Sequence, residues 1–332
     1  MTDGAPLALV TGATGYVGSR LVPRLVQEGT RVRVLTRDRE RVADRSWQPE
    51  VDVLEGDASF RSVLQDACAG VDVAYYLLHS MDGGSDFSQR DRDLALSFGI
   101  AAQTAGVQRI VYLSGLHPSG PLSTHLASRV EVGNLLLASG VPTAVLQAAM
   151  VVGAGSASFE MLRHLTNRLP AMVAPTWLDS RIQPIAIRDV LHYLVACADL
   201  PPEHSRTFDV GGPDVLTYRQ MIAAFARVAG LRRRRVVTVP AVLPPSVASQ
   251  WVRFVTPVPP GLARPLVGSL LHDVVCAEQD LASLVGPPPG GSLTFERAVA
   301  VALQEDPNRE RPEPGTVPPE RLTAADPQWA GA

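Results

Sequence analysis

Near the start of the chain, the run Thr11-Gly12-Ala13-Thr14-Gly15-Tyr16-Val17-Gly18 restricts the possible folds more than any other segment. It follows a short apolar stretch, Leu7 to Val10. It precedes Leu21, Val22, Leu25 and Val26, which continue from Val17 at helical spacing. A strand must therefore become a helix across a glycine-rich turn. In such a turn Gly12 permits the tight reversal, Gly15 lets a pyrophosphate approach the backbone, and Gly18 lets helix and strand pack closely. The unpaired N–H groups and the dipole of the helix N-terminus favour the phosphate charge. Thr11, Thr14, Tyr16 and Val17 belong to the same cradle and are expected to contact the nucleotide. Pro23 should kink the helix, because it removes a backbone donor.

Further apolar runs at Arg31–Leu35, Val51–Leu54, Val71–Leu78, Arg109–Ser114 and Thr143–Gln147 alternate with helical stripes such as Leu94, Phe98, Ala101 and Ala102. Strands alternating with helices predict an α/β protein with a doubly wound parallel sheet of the Rossmann type. The expected organisation is a nucleotide-binding domain over 1–150 and a mixed region over 151–306. That region completes the sheet with Thr207–Val210 and forms a smaller C-terminal substrate-binding lobe. Its pocket is expected to draw on Met150 to Met161 and on the proline-rich stretch Pro240 to Pro265. Residues 307–332 turn to Pro, Glu, Arg and Gly, which predicts an extended or disordered tail.

Composition narrows the partners. A net charge of −3 over 332 residues offers no footprint for nucleic acid or an anionic membrane. Cys68, Cys197 and Cys276 show no metal-ligand spacing and read as three reduced thiols, so no metal is expected. No apolar stretch approaches the ~18 residues of a membrane span, and Met1 to Pro6 does not resemble a signal peptide. A cytoplasmic protein with a small-molecule substrate is expected, and a homodimer is left open. Arg232 to Arg235 reads as a solvated turn.

The end of the second strand bears on the nucleotide. A carboxylate there accepts from a ribose 2′-hydroxyl, whereas an arginine suits a 2′-phosphate. The chain reads Leu35-Thr36-Arg37, with Arg39 and Arg41 following, so NADP(H) is expected. Asp38 keeps NAD(H) as the alternative. Asp57, after the third strand, is a candidate acceptor for the adenine amino group, or else a plain turn residue. Leu78 and His79 follow the fourth strand, where the chain should pass the ribose next to the nicotinamide.

With these residues in place, the chain resembles the extended and atypical short-chain dehydrogenase/reductases. Within them it is similar to the YbjT-like NAD(P)H-binding proteins, relatives of the NmrA-like regulators and the triphenylmethane reductases. The landmarks are TGATGYVGSRL at the start, GVQRIVYLSGL from Gly106, RIQPIAIRDV from Arg181 and FDVGGPDVLTYRQM from Phe208. In longer proteins of this kind a segment like Asp326-Pro327-Gln328-Trp329-Ala330-Gly331 leads into a second domain. The chain is expected to be a short form or to lack that domain. The resemblance implies a Ser or Thr ending the fifth strand, which Ser114 matches. It also implies a Tyr-x-x-x-Lys on the next helix, which this chain lacks: His125 and Arg129 stand at that spacing.

The pair is still chemically plausible. A histidine titrates near neutrality and can act as a general acid, while an arginine can hold ribose hydroxyls without shuttling protons. The competing reading is a helix that merely covers the cofactor. His79 and His117 are weaker candidates, and Tyr75 and Tyr76 read as core. The resulting expectation is an NADPH-dependent oxidoreductase reducing a small, apolar carbonyl, enone or quinone-like substrate, with Ser114, His125 and Arg129 as catalytic residues. The rivals are a non-catalytic NADP(H)-binding redox sensor or assembly factor, which the lost Tyr and Lys favour, and a nucleotide-sugar epimerase or dehydratase, which their loss disfavours.

Overall fold

The computed structural model of the chain describes residues 4–78, 87–118, 122–239, 257–259, 272–304 and 311–331. The N-terminal half alternates as the sequence requires: β1 (Leu7–Thr11), α1 (Gly18–Gln27), β2 (Arg31–Thr36), α2 (Glu40–Ala43), β3 (Asp52–Glu55), α3 (Arg61–Cys68), β4 (Val73–Tyr76), α4 (Phe87–Ala105), β5 (Arg109–Gly115), α5 (Thr124–Leu137) and β6 (Thr143–Ala148). The C-terminal half adds β7 (Met150–Val152), α6 (Ala157–Arg168), β8 (Ala171–Pro175), β9 (Arg181–Ile182), β10 (Pro184–Ala186), α7 (Ile187–Ala196), β11 (Arg206–Val210), β12 (Leu216–Thr217), α8 (Tyr218–Val228), β13 (Arg235–Val239), α9 (Leu281–Val285) and α10 (Phe295–Ala302).

A seven-stranded sheet, in the order β11-β6-β5-β4-β1-β2-β3, forms the centre, and every pairing in it is parallel. Strand order reverses between β1 and β4, so the crevice beyond the C-terminal ends of these strands is where ligands bind in such sheets. Helices cover both faces, which is why β1 and β6 are buried along their whole length and read as continuous apolar runs. On one face Leu21, Leu25 and Leu194 pack with Val10, Val34 and Phe208. On the other, Leu64, Phe98 and Leu136 pack with Leu9, Tyr76 and Tyr112. A separate cluster, including Phe159, Tyr218, Phe225 and Phe295, packs together residues of the C-terminal half.

Two local expectations change. The run Val71–Leu78 gives a shorter strand, because the Val71 amide closes a turn onto the Cys68 carbonyl and Leu77 leaves the sheet toward the glycine loop. The cluster Arg232–Arg235 is only partly a solvated turn: Arg235 opens β13, and Arg234 donates to the Thr166 carbonyl at 2.8 Å. Pro23 lies inside α1 without ending it.

The tail follows an irregular path, and its polar groups hold it in place. Arg20, on α1 directly after the glycine loop, is 3% exposed and grips Asp326 with two bonds of 2.8 and 2.7 Å. The same guanidinium donates to the carbonyls of Pro319, Arg321, Ala154 and Tyr16. Asp326 also accepts the Thr323 amide and hydroxyl. Composition alone does not reveal such a staple, because it contains no large apolar group.

Candidate dinucleotide and substrate site

Gly12 has φ +72°, and a Cβ there would lie 2.7 Å from the Leu77 carbonyl oxygen. A Cβ on Gly18 would lie 2.3 Å from the Gly12 oxygen. Both positions therefore exclude a side chain because of the protein's own backbone. Gly15 differs. It is exposed, and its Cβ would meet only the Gly12 oxygen, at 3.2 Å, so the fold leaves space on its open side. The Gly15 amide donates to the Gly12 carbonyl, and the Ser19 amide to the Gly15 carbonyl. Among the described residues the amides of Thr14, Tyr16 and Val17 have no partner. Free N–H groups over an open glycine at a helix N-terminus suit a pyrophosphate, so the residues present fit a dinucleotide.

The side chains of this cradle are mostly committed elsewhere. The Thr11 hydroxyl donates to the Tyr75 carbonyl at 3.0 Å and accepts the Leu77 amide at 3.2 Å, tying β1 to the exit of β4. The Tyr16 ring lies under the Arg20 guanidinium, 4.2 Å from its centroid, and its hydroxyl is buried without a partner among the described residues. Burial raises that phenol's pKa far above its ordinary value. What Thr11 and Tyr16 offer a nucleotide is thus backbone.

At the end of β2 the charges separate by role. The Asp38 carboxylate accepts the Glu40 amide at 3.0 Å, at the start of α2. Arg39 folds back to donate to the Val53 carbonyl. Arg37 and Arg41 are exposed and form no ion pair among the described residues. Asp57 accepts the Ser59 amide at 2.8 Å; that bond first, with the nearby Arg37 charge, holds its carboxyl below the usual range. Leu78 is half-buried against the core beneath α3 and α4, and His79 lies outside the described residues.

Ser114 is the penultimate residue of β5 and is buried, and its hydroxyl donates to the Arg129 carbonyl over a long 3.4 Å. The Arg129 guanidinium turns back to the Leu113 carbonyl at 3.0 Å. The fold thus brings Ser114 and Arg129 together. His125 lies one turn earlier on α5, its ring 6.4 Å from that of Phe87. Burial first, and the Arg129 charge second, push its pKa down to about 4. The expected titration near neutrality is therefore corrected: the ring is neutral at pH 7. His117 contacts the Gln147 side-chain nitrogen at 3.1 Å, and burial lowers its pKa as well. Tyr75 and Tyr76 are core residues, Tyr76 edge-on to Phe98 at 4.9 Å.

Directly after Ser114, a mainly apolar cleft of about 70 Å³ opens at the ends of β5 and β6. Its walls include Leu116, Leu126, Met150, Ser158, Met161 and Tyr218. Met150, Ser158 and Met161 place the stretch Met150–Met161 along this cleft, while 240–265, apart from 257–259, lies outside the described residues. The sequence reading missed Tyr218 and the Arg20–Asp326 staple. The signal for the staple was an arginine set among the apolar positions of α1. Tyr218 lies within the FDVGGPDVLTYRQM landmark, where nothing marks it as a wall residue. Among the described residues no group of His, Cys, Asp and Glu is placed to hold a metal, and no helix is long and apolar enough to cross a membrane. The three cysteines are free, their thiol pKa values pushed up by burial to about 11 for Cys68 and about 12 for Cys197 and Cys276.

The parallel sheet and its glycine cradle define a Rossmann-type dinucleotide-binding protein. The chain belongs to the NmrA-like family, whose profile matches residues 6–255. It is 28% identical over 226 residues to a (4-alkanoyl-5-oxo-2,5-dihydrofuran-3-yl)methyl phosphate reductase of Streptomyces griseus, covering 68% of this chain and 74% of that protein. It is 27% identical over 239 residues to a ceramide reductase of Caulobacter vibrioides, covering 70% and 74%. Its fold matches the Citrobacter triphenylmethane reductase complexed with NADP(H), with a TM-score of 0.70 at 18% identity, over 89% of this chain and all (100%) of that one.

Proposed function

We propose that the protein is an NADPH-dependent oxidoreductase that reduces a carbonyl, enone or quinone-like group on an apolar substrate. The observation that carries this reading is the position of the cleft. It starts at Gly115, immediately beyond Ser114, at the ends of β5 and β6. This is the same edge of the sheet on which the glycine loop leaves β1. The two relatives, both reductases whose named compounds carry alkanoyl or ceramide groups, support it.

When bound, the dinucleotide supplies a hydride. The chain's own residues bind and orient. The free amides of Thr14, Tyr16 and Val17 hold the pyrophosphate, and Arg37 pairs with a 2′-phosphate through charged hydrogen bonds. The Ser114 hydroxyl, whose bond to the Arg129 carbonyl is long and readily exchanged, turns to a substrate oxygen. Arg129 stays tied to the end of β5 and braces the ribose side. His125, neutral at pH 7, passes a proton as a hydrogen-bonded relay with water; it does not act as an imidazolium acid. The apolar walls exclude bulk water.

One observation favours a second reading, an NADP(H)-binding sensor without turnover. A histidine with a pKa of about 4 is a poor proton source at neutral pH. The two readings separate in one assay: NADPH absorbance followed with the full chain and a panel of apolar ketones, enones and quinones. Catalytic loss of NADPH with at least one class is the expected result. Stoichiometric binding with no consumption across the panel supports the sensor.

A further inference from the structure

Tyr218 opens α8 and is 2% exposed. Its hydroxyl is buried and finds no hydrogen-bond partner among the described residues. A buried hydroxyl left unpaired costs about 1–3 kcal/mol, so a hydroxyl retained in this state calls for a partner that arrives from outside. The helix turn that carries it is fixed. Thr217 caps α8 by accepting the Gln220 amide at 3.1 Å, and the Gln220 side chain accepts the Thr217 amide at 2.7 Å.

The same tyrosine forms part of the cleft wall beside Ser114. Most of the remaining wall is apolar, contributed by Leu116, Leu126, Met150, Met161, Ile182 and Val274. The other hydroxyl-bearing side chain of the wall, Ser158, is engaged with the Ser156 hydroxyl at 3.1 Å. In such a wall an unpaired donor discriminates strongly, because an occupant without an acceptor leaves it unsatisfied. Burial raises the phenol pKa, so the proton stays on the oxygen and the group is a donor throughout the physiological range.

We propose that the Tyr218 hydroxyl is a specificity determinant, donating a hydrogen bond to an acceptor oxygen on an otherwise apolar substrate. The substrate class is then a lipophilic ketone, enone, quinone or ester, and a plain hydrocarbon is discriminated against. This proposal rests on reading the cleft as the substrate site.

The test uses 1-tetralone and tetralin, which differ by one carbonyl oxygen. Binding to the full chain, without reduced cofactor, is measured by ligand-observed NMR titration. Wild type is expected to prefer the ketone. Tyr218→Phe should weaken ketone binding about fivefold, the worth of one ordinary hydrogen bond, with tetralin affinity unchanged. The variant should melt at the same temperature as wild type or higher, since an unpaired hydroxyl has been removed. Unchanged ketone binding in Tyr218→Phe, or a lower melting temperature that reveals a partner within the protein, overturns the proposal. Met161→Trp, which fills the cleft, should block both probes. If it blocks the ketone while Tyr218→Phe has no effect, Tyr218 alone is refuted. If neither probe binds wild type, or Met161→Trp binds both as before, the cleft is not the substrate site and both readings fall.

Discussion

The nucleotide cradle comes from consecutive residues, Thr11 to Gly18, and acts through its backbone. The cleft at the same edge of the sheet draws Leu116, Leu126, Met161, Tyr218 and Val274 from separate segments, and acts through side chains. A backbone site is dictated locally: Gly12 and Gly18 have no room for a Cβ, and any chain making this turn needs them. A side-chain site depends on which distant elements the fold brings together. The first region therefore tolerates almost no change at its glycines, while the second should tolerate changes of shape and respond to single polar atoms.

The glycines give the largest expected effect. Gly18→Ala places a Cβ 2.3 Å from the Gly12 oxygen and 2.8 Å from the Ala13 Cα. It should distort the loop, abolish dinucleotide binding and lower the melting temperature. Gly15→Val should also abolish binding, but with the fold retained, since only the Gly12 oxygen lies near its Cβ. Calorimetric titration of NADPH beside a melting curve separates the two. Wild-type affinity in a folded Gly15→Val variant would remove the cradle from the account.

Next comes the staple beneath that loop. Asp326→Ala leaves the Arg20 guanidinium buried without its carboxylate, a change that typically costs about 3–5 kcal/mol. Urea denaturation should show a loss of that order. A loss below about 1 kcal/mol, the scale of an exposed ion pair, would mean that the tail is only loosely held against α1.

Arg37→Ala should weaken NADPH by about ten- to a hundredfold, the worth of a charged hydrogen bond, with NADH little changed. Asp38→Ala should alter neither much, because that carboxylate is already engaged by the Glu40 amide. An effect of Asp38→Ala on NADH alone would shift the ribose contact to Asp38.

A further effect is in the pH dependence, and it shows only below pH 6.5. The folded pKa of His125, about 4, lies below its ordinary 6.5. Above pH 6.5 both folded and unfolded chains carry a neutral ring, and the residue adds no slope. As pH falls from 6.5 to about 4 the unfolded chain takes up a proton that the native state refuses, so stability declines across that window. His125→Phe should flatten the decline, and His164, also held at about 4, should retain part of it. An unchanged slope would show that His125 is not desolvated. A reaction that uses His125 should likewise show no inflection near 6.5.

How far the sequence speaks for itself follows the same division. The strands β1 to β6, and the glycines between β1 and α1, announce themselves by apolar runs and turn chemistry. Ser114 is legible from its place near a strand end. Arg129 is legible from spacing, although its guanidinium turns to the Leu113 carbonyl. The low pKa of His125 depends on its burial and on Arg129 beside it, and no residue spacing reports desolvation. Tyr218 and Leu116 are about a hundred positions apart in the sequence and share a wall only in the folded chain. The tail looked featureless because its anchors are single polar residues, Asp326 and Thr323, in a stretch poor in large apolar side chains.

If the cradle takes NADP(H), with Arg37 selecting the phosphorylated ribose, parallel titration of the wild-type chain with NADPH and NADH will show it. NADPH should bind at least about tenfold tighter, from one charged hydrogen bond to Arg37. Equal affinities, or tighter binding of NADH, would contradict it.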